Sequence, residues 1–458
     1  MIENDAFKLL LINLFHLNPD DIANIFCTTF NKMMVLIVTL ADKHQACPYC
    51  GFTAPKIKEY VTKEITHSAL TTQKCIIKYR ARRYKCPCCG KTYYEFNPFV
   101  FKSQKISILT VHNILKDLKD FNETFTSVAR RYHVSPTSVS TIFDNHVDIG
   151  RNPLPEIINF DEVYAFKSEK SKYVCVLLDF KKQIPVDVLP NRKKEYLLNY
   201  FQKIPLEERK KVKYACSDMY EVYRDVVHKV FPCSCMLLDY FHLSQDFHRK
   251  MNEVRIKVMK GYKDDKASDE YYLLKKFNWL LFKNPEDEDK YGRLFDVERE
   301  RKYNSHFKSY MNYYDLRRKL LEINNDLTIC YSLKLELVDF YSKSTIDNAQ
   351  VNLEHLIRNC IDTNIEEMIK FSNNLINWKQ EIINSFTIVG TEYKVEADKG
   401  QVVVCNKKVN NAIIENRNKI IKCIKNNANG YTNWSRFRNR VMYVLDPNTT
   451  FSLEPREK

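Results

Sequence analysis

Ile157-Ile-Asn-Phe160-Asp161, Tyr173-Val-Cys-Val-Leu-Leu-Asp179 and Ile184-Pro-Val-Asp-Val-Leu189 are short β-branched runs, the last two parted by a polar turn at Lys181-Lys-Gln183. Such runs read as buried strands, and their close spacing predicts a meander. A helical pattern from Lys193 to Lys203 follows. Then come Val212-Lys-Tyr-Ala-Cys216 ending at Ser217-Asp218, a helix from Tyr220 to Phe231, and Cys235-Met-Leu-Leu-Asp239. Three strands in a meander, then helix, strand, helix, strand, describe an α/β sheet of mixed strand direction.

The ribonuclease-H-like fold has this order of elements, although order alone does not single it out. The acids add to it. Asp161 and Asp218 each stand at the C-terminal end of an apolar run. Neighbouring strands would bring those ends together, and two carboxylates with a third acid suit Mg²⁺ or Mn²⁺, which also takes substrate phosphates. A single strand-end aspartate is ordinarily a turn residue, so the pair gains weight only from its company. Glu162 points to the other face if the strand continues. Asp239 ends the next strand and is a rival third acid.

Upstream, Cys47-Pro-Tyr-Cys50 and Cys86-Pro-Cys-Cys89-Gly90 are two C-x-x-C knuckles separated by 35 residues. Each lets two thiolates converge from a tight turn, and the pair can close one four-sulfur zinc site. Cys88 reads as a bystander. Reduced buried cysteines or a redox pair are the plainer alternatives. The segment between the knuckles is basic and strand-like (Ile76-Ile-Lys-Tyr-Arg80, Arg82-Arg-Tyr-Lys85), as the arms of a zinc ribbon would be.

Between knuckles and sheet, residues 124–143 have the layout of a helix-turn-helix. Small Ala129 permits close helix approach, His133-Val134-Ser135 makes the turn, Ser135 can cap, and Pro136 takes the first helical position. Val139, Ile142 and Phe143 would pack inward, leaving Thr137, Ser138 and Ser140 for a major groove. An ordinary helical hairpin fits the pattern nearly as well.

The chain has 458 residues and a net charge of +15, enough for several domains and for a polyanionic partner. Its 15 cysteines, scattered among charged residues, suit reduced cytosolic thiols better than a secreted disulfide framework. With only 8 glycines and no G-x-x-x-x-G-K loop, nucleotide hydrolysis is disfavoured. The apolar run Leu9–Phe15 is interrupted by Asn13 and reads as a short core helix rather than a signal or membrane span. From about Phe241 to Phe386 the pattern is helical, charged and aromatic. Val402-Val-Val-Cys405 is a short strand, followed by a helix from near Asn410 with Lys419, Lys422 and Lys425 toward one side. Those lysines suit a phosphate backbone, or simply a solvated face.

Ile158-Asn-Phe-Asp161-Glu162, Ser217-Asp218-Met-Tyr220, Asp239-Tyr-Phe-His242 and Glu415-Asn-Arg-Asn-Lys419-Ile-Ile-Lys422, in this order, resemble the catalytic blocks of the ISL-three insertion-sequence transposases. The resemblance extends to the cysteine module, the helix-turn-helix and the Asn429-Gly430-Tyr431…Phe437-Arg438…Arg440 tail. It implies an α/β, ribonuclease-H-like core with an Asp-Asp-Glu triad, here Asp161, Asp218 and Glu415, and a large helical insertion before the glutamate. Asn416 stands where the resemblance implies a glycine.

The implied organisation is an N-terminal helical segment (1–39), a zinc module (40–100), a helix-turn-helix (101–150), a catalytic core (151–240 and 400–446), a helical insertion (241–399) and a tail (447–458). The implied activity is metal-dependent cutting and rejoining of double-stranded DNA at the element's inverted repeats and at a target. A homodimer or larger assembly on DNA, a cytoplasmic, nucleoid-associated location and no membrane partner go with it. A DNA-binding regulator derived from a transposase, without turnover, is the main alternative; an RNA-associated zinc protein is another.

Overall fold

The computed structural model describes residues 2–43, 46–70, 72–101, 104–166, 171–395 and 402–456. The chain opens with α1 (Ile2–Leu14) and continues as β1 (Ile22–Phe30), β2 (Met33–Leu40), β3 (Lys56–Thr66), β4 (Cys75–Lys85) and β5 (Thr92–Tyr94). These strands form one sheet of order β1-β2-β4-β3, with β5 on β4. The expected helical segment 1–39 is therefore helical only over α1. Along β2 the buried Leu36, Val38 and Leu40 alternate with the exposed Ile37 and Thr39, a strand period, and Asn31-Lys32, both at positive φ (48° and 61°), form the two-residue turn that closes a hairpin.

Next come α2 (Ile108–Asp117), α3 (Phe125–Arg131) and α4 (Pro136–His146). Thr124 and Ser127 cap the start of α3 reciprocally, and the Ser135 side chain accepts from Ser138 N with Pro136 in the first turn of α4. His133 takes φ 53° in the turn between them. Ala129, Val139, Ile142 and Phe143 are buried.

The central sheet contains β6 (Ile157–Val163), β7 (Val174–Asp179), β8 (Pro185–Leu189), β9 (Tyr214–Ser217) and β10 (Cys235–Leu238) in the order β10-β9-β6-β7-β8. β6, β7 and β8 form the antiparallel meander, while β9 runs parallel to β6 and β10 parallel to β9. The connections carry α5 (Lys194–Gln202), the short α6 (Leu206–Arg209) and α7 (Glu221–Val230). Side chains alternate across β6: Ile158 and Phe160 pack with Phe201 and Tyr223, whereas Val163 joins the core made with the C-terminal helices.

After β10 the chain enters a helical region with its own core: α8 (Tyr240–Lys260), α9 (Asp269–Lys276), α10 (Tyr313–Glu322), α11 (Asn325–Lys343), α12 (Ala349–Asp362), α13 (Glu366–Asn377) and α14 (Lys379–Asn384). Two small hairpins, β11 (Glu288–Asp289) with β12 (Gly292–Arg293) and β13 (Lys302–Asn304) with β14 (Ser309–Met311), interrupt it. A hairpin of β15 (Ile388–Val395) and β16 (Val402–Lys408) leads back to α15 (Ala412–Asn427) and α16 (Trp434–Leu445). α15 packs against β6 and α16 against β8.

The α2–α4 unit has no core of its own. Val111, Val128 and Phe143 share one apolar cluster with Val176 of the central sheet and with Ile414, Phe437 and Val441 of α15 and α16. Among the described residues no helix is long and apolar enough to cross a membrane.

Candidate active site and metal centre

The strand register brings three aspartates level. Asn159 of β6 pairs with Cys216 of β9, so two residues further on Asp161, still within β6, comes level with Asp218, the first residue past β9. Leu238 pairs with Ser217, which sets Asp239 beside Asp218. Asp239 is thus part of the group, not a strand end apart from it. β6 runs two residues beyond Asp161, and Glu162, on its other face, accepts from Tyr223 Oη at 3.2 Å and pairs with Arg192.

Glu415 returns to this end of the sheet on α15, across nearly two hundred residues of chain. Asn159 and Asn411 hold that helix in place. Asn159 Nδ2 donates to Asn411 Oδ1 at 2.7 Å and to Asn410 O at 2.8 Å, and both residues are fully buried. One turn beyond Glu415, Asn418 Nδ2 donates to Asp161 Oδ2 at 2.7 Å. Asn416 is exposed within regular helix, so no glycine is required there.

His242, on the first turn of α8, stands between the acids: Nε2 is 3.8 Å from Asp239 Oδ2 and 3.8 Å from Glu415 Oε1. Asp239, His242 and Glu415 form the closest three-ligand group here, with one donor atom from each within 4.8 Å of the others. Asp161 and Asp218 flank this group and share its field. Burial, then the charge of Asp218, pushes the Asp161 carboxyl up to about 7, with His242 opposing. Burial raises Asp218 and Asp239 as well, again opposed by His242. Asp218 Oδ1 and His242 Nε2 are buried without a hydrogen-bond partner. A pocket of crowded carboxylates with orphaned polar atoms fits a divalent cation, since a cation supplies the missing partner and relieves the repulsion.

The cysteine knuckles meet as well. Gly51 N donates to Cys47 O and Gly90 N to Cys86 O, both at 2.9 Å, and each glycine takes positive φ (74° and 70°). The sulfurs of Cys47 and Cys89 lie 3.7 Å apart and those of Cys50 and Cys86 3.5 Å apart, while Cys88 is exposed and stands outside the group. A tetrahedron with Zn–S bonds of about 2.3 Å has edges of about 3.8 Å, so the four sulfurs fit one zinc. The backbone N–H of Cys89 brings the Cys86 thiol down to about 7. At Cys50 the Phe52 backbone bond is outweighed by desolvation and the neighbouring thiols, which push the thiol up to about 12. Without a metal, Cys86 is thus ready to ionise while Cys50 keeps its proton.

On α4, Thr137 is exposed, but Ser138 and Ser140 are half-buried with their hydroxyls engaged. Ser138 Oγ lies 2.8 Å from Ser135 Oγ, and Ser140 Oγ donates to Thr137 O at 3.0 Å. Lys419 and Lys422 are exposed on α15, on the same helix as Glu415.

Residues 158–397 match a family model described as transposase, a class of DNA-processing enzyme. The matched segment takes in Asp161, Asp218, Asp239 and His242 and ends before Glu415. A relative, the transposase for insertion sequence element IS1001 of Bordetella parapertussis, is 20% identical over 409 residues, covering 89% of this chain and 90% of the relative. The chain belongs to the ISL-three transposase family.

Proposed function

We propose that this protein is an Asp-Asp-Glu transposase with a ribonuclease-H-like core, cutting and rejoining DNA at the ends of its own insertion sequence. The observation that carries this reading is the return of Glu415 to the strand ends that bear Asp161, Asp218 and Asp239. A regulator that only binds DNA has no need of buried, mutually repelling carboxylates.

Asp161, Asp218 and Glu415 would hold Mg²⁺ or Mn²⁺, with Asp239 adjoining. Such an ion would neutralise phosphate charge and help activate the attacking oxygen. The protein's own groups orient the rest. Asn418 fixes one oxygen of Asp161, and His242 offers a hydrogen bond to a phosphate oxygen between Asp239 and Glu415. Lys419 and Lys422 hold the flanking backbone. In the first step water attacks phosphorus at the element end and the 3′-oxygen leaves with a proton as a 3′-hydroxyl. In the second, that hydroxyl attacks another phosphodiester and displaces its 3′-oxygen. One phosphodiester forms as one breaks, so strand transfer needs no external energy and no covalent protein–DNA link.

Recognition is assigned to residues 101–150, with α4 entering a major groove, and to the module of residues 40–100, its four cysteines holding zinc. Joining two ends calls for a homodimer or larger assembly on DNA. The test is incubation of purified protein with Mg²⁺ and duplexes carrying the inverted repeats that flank its gene. Release of a 3′-hydroxyl at the repeat boundary supports the reading. Tight binding without strand cleavage would favour the regulator instead.

A further inference from the structure

A cleft of about 670 Å³ opens in the helical region, between α9, α10 and the two small hairpins. Nothing in the cutting reaction uses it. Its walls include Tyr272, Tyr291, Tyr303 and Tyr313, and its floor the buried Met311 and Leu316. Tyr291 and Tyr303 remain 66% and 58% exposed. Isolated exposed aromatics are ordinary, but two such rings at the mouth of one cleft offer a binding surface. Of the other two, Tyr272 is already stacked on His306 with 4.0 Å between ring centres.

The tyrosines are presented on an anchored frame. Asn312 Nδ2 donates to Val297 O and Arg299 O, both at 3.1 Å, and the Arg299 guanidinium pairs with Asp289 at 2.6 Å. These bonds tie the loop between the hairpins to the start of α10. Cations stand by the rings: Lys276 Nζ is 5.1 Å from the centre of Tyr272, Lys302 Nζ 5.7 Å from Tyr291, and the Arg299 guanidinium 5.6 Å from Tyr313. Against Lys276, Arg293, Arg299 and Lys302 the lining sets Asp289, Asp296 and Glu300, so its charge is close to balanced. A long run of phosphates would find little excess charge here. A flat π-face carrying one or two phosphates would find both of its partners.

We propose that this cleft binds an unpaired nucleotide of the DNA substrate, its base stacked on tyrosine and its phosphate met by the lysines at the rim. The inference rests on the reading of the protein as a DNA-cutting enzyme. A paired base has no free face to offer, so the cleft selects strands that have come apart. Its position suits that task. α8 starts at the acid cluster with His242, and thirteen residues on, roughly 20 Å at 1.5 Å per residue, Arg255 Nη1 donates to Leu274 O of α9 at 2.7 Å.

The test uses full-length protein and a twelve-nucleotide oligothymidine with one 5-iodouracil, compared with a duplex of the element end. Photocrosslinking should map to Tyr291 or Tyr303. Replacing both by alanine should weaken oligothymidine binding by about tenfold or more, leave duplex binding within about twofold, and be rescued by phenylalanine. Both side chains are exposed, so the variants should fold. Crosslinks outside the cleft, or an alanine pair that binds oligothymidine as tightly as the parent, would overturn the inference. Protein that cuts element ends yet does not crosslink at these tyrosines overturns this inference alone. Protein that neither binds nor cuts end DNA overturns the transposase reading.

Discussion

Asp161 is an acid buried among acids, and its folded-state pKa of about 7 lies well above that of a free aspartate. The stability it lends is therefore complete below about pH 4 and is lost as the pH rises through its folded value. In buffer without added divalent cation, stability should fall between pH 5 and pH 8, by roughly 2–3 kcal/mol from Asp161 alone, with the raised carboxyls of Asp218 and Asp239 adding to the slope. Denaturant titrations at several pH values would measure this, and Asp161→Asn should flatten the profile. A profile as steep in Asp161→Asn as in the parent would show that another group drives it. Asn418 acts through its neighbour. Asn418→Ala removes a bond to a buried carboxylate, so it should cost about 1–3 kcal/mol of stability and lower the cutting rate with little change in DNA affinity. An unaltered rate would mean that Asp161 needs no positioning. At this scale the sequence was legible where chemistry marks a residue by type. Aspartates closing apolar runs pointed to Asp161 and Asp218 and motif order to Glu415, and the fold brings the three to one end of the sheet, although β6 continues two residues past Asp161. Asn159, Asn411 and Asn418 were missed because asparagine in a helix is commonplace. The available signal was spacing: Asn411, Glu415, Asn418 and Lys422 follow one another at four, three and four residues, a polar stripe that starts at the residue capping α15 and runs along the helix.

Among elements, the cysteine knuckles and α4 make separate predictions. If the four sulfurs hold zinc, binding energy is folding energy for that module. Chelation should unfold the β3–β5 region and weaken DNA binding while the central sheet persists. Amide exchange before and after chelation would report it, and metal analysis should find one zinc per chain. On α4, Thr137 is the free side chain, whereas the Ser138 and Ser140 hydroxyls are already bonded within the helix. Thr137→Ala should shift discrimination among sites more than Ser140→Ala. Lys419→Ala and Lys422→Ala should weaken all sequences alike and each reduce the salt slope by about one. Salt-dependent binding to matched and scrambled ends separates these effects. The strands β6 to β10 were readable because buried β-branched runs have few other destinies. β1 and β2 were not, since their alternation is short and the hairpin turn Asn31-Lys32 lacks the usual glycine.

Across the whole molecule, the unit read as a DNA-binding helix-turn-helix is fastened to the C-terminal helix. The buried Arg440 Nη2 donates to Asp120 O and Glu123 O at 2.8 Å, Tyr443 Oη donates to Leu115 O at 2.9 Å, and Arg436 grips Asp144 through two nitrogens. Removing residues 1–150 would therefore strip a shared core, and recognition is better tested by point substitution. Sequence cannot reveal such sharing, because it arises between segments some three hundred residues apart. Glu415 is likewise remote from the aspartates in sequence, and only the order of motifs pointed to it. The most direct measurement is Mg²⁺-dependent cleavage of element-end DNA by Glu415→Gln and Asp239→Asn, with binding measured in parallel. Glu415→Gln keeps the size of the side chain and removes its charge, so it should bind DNA as the parent does and release no 3′-hydroxyl. Full cleavage by Glu415→Gln, with loss only in Asp239→Asn, would contradict the assignment of Glu415 as the third acid.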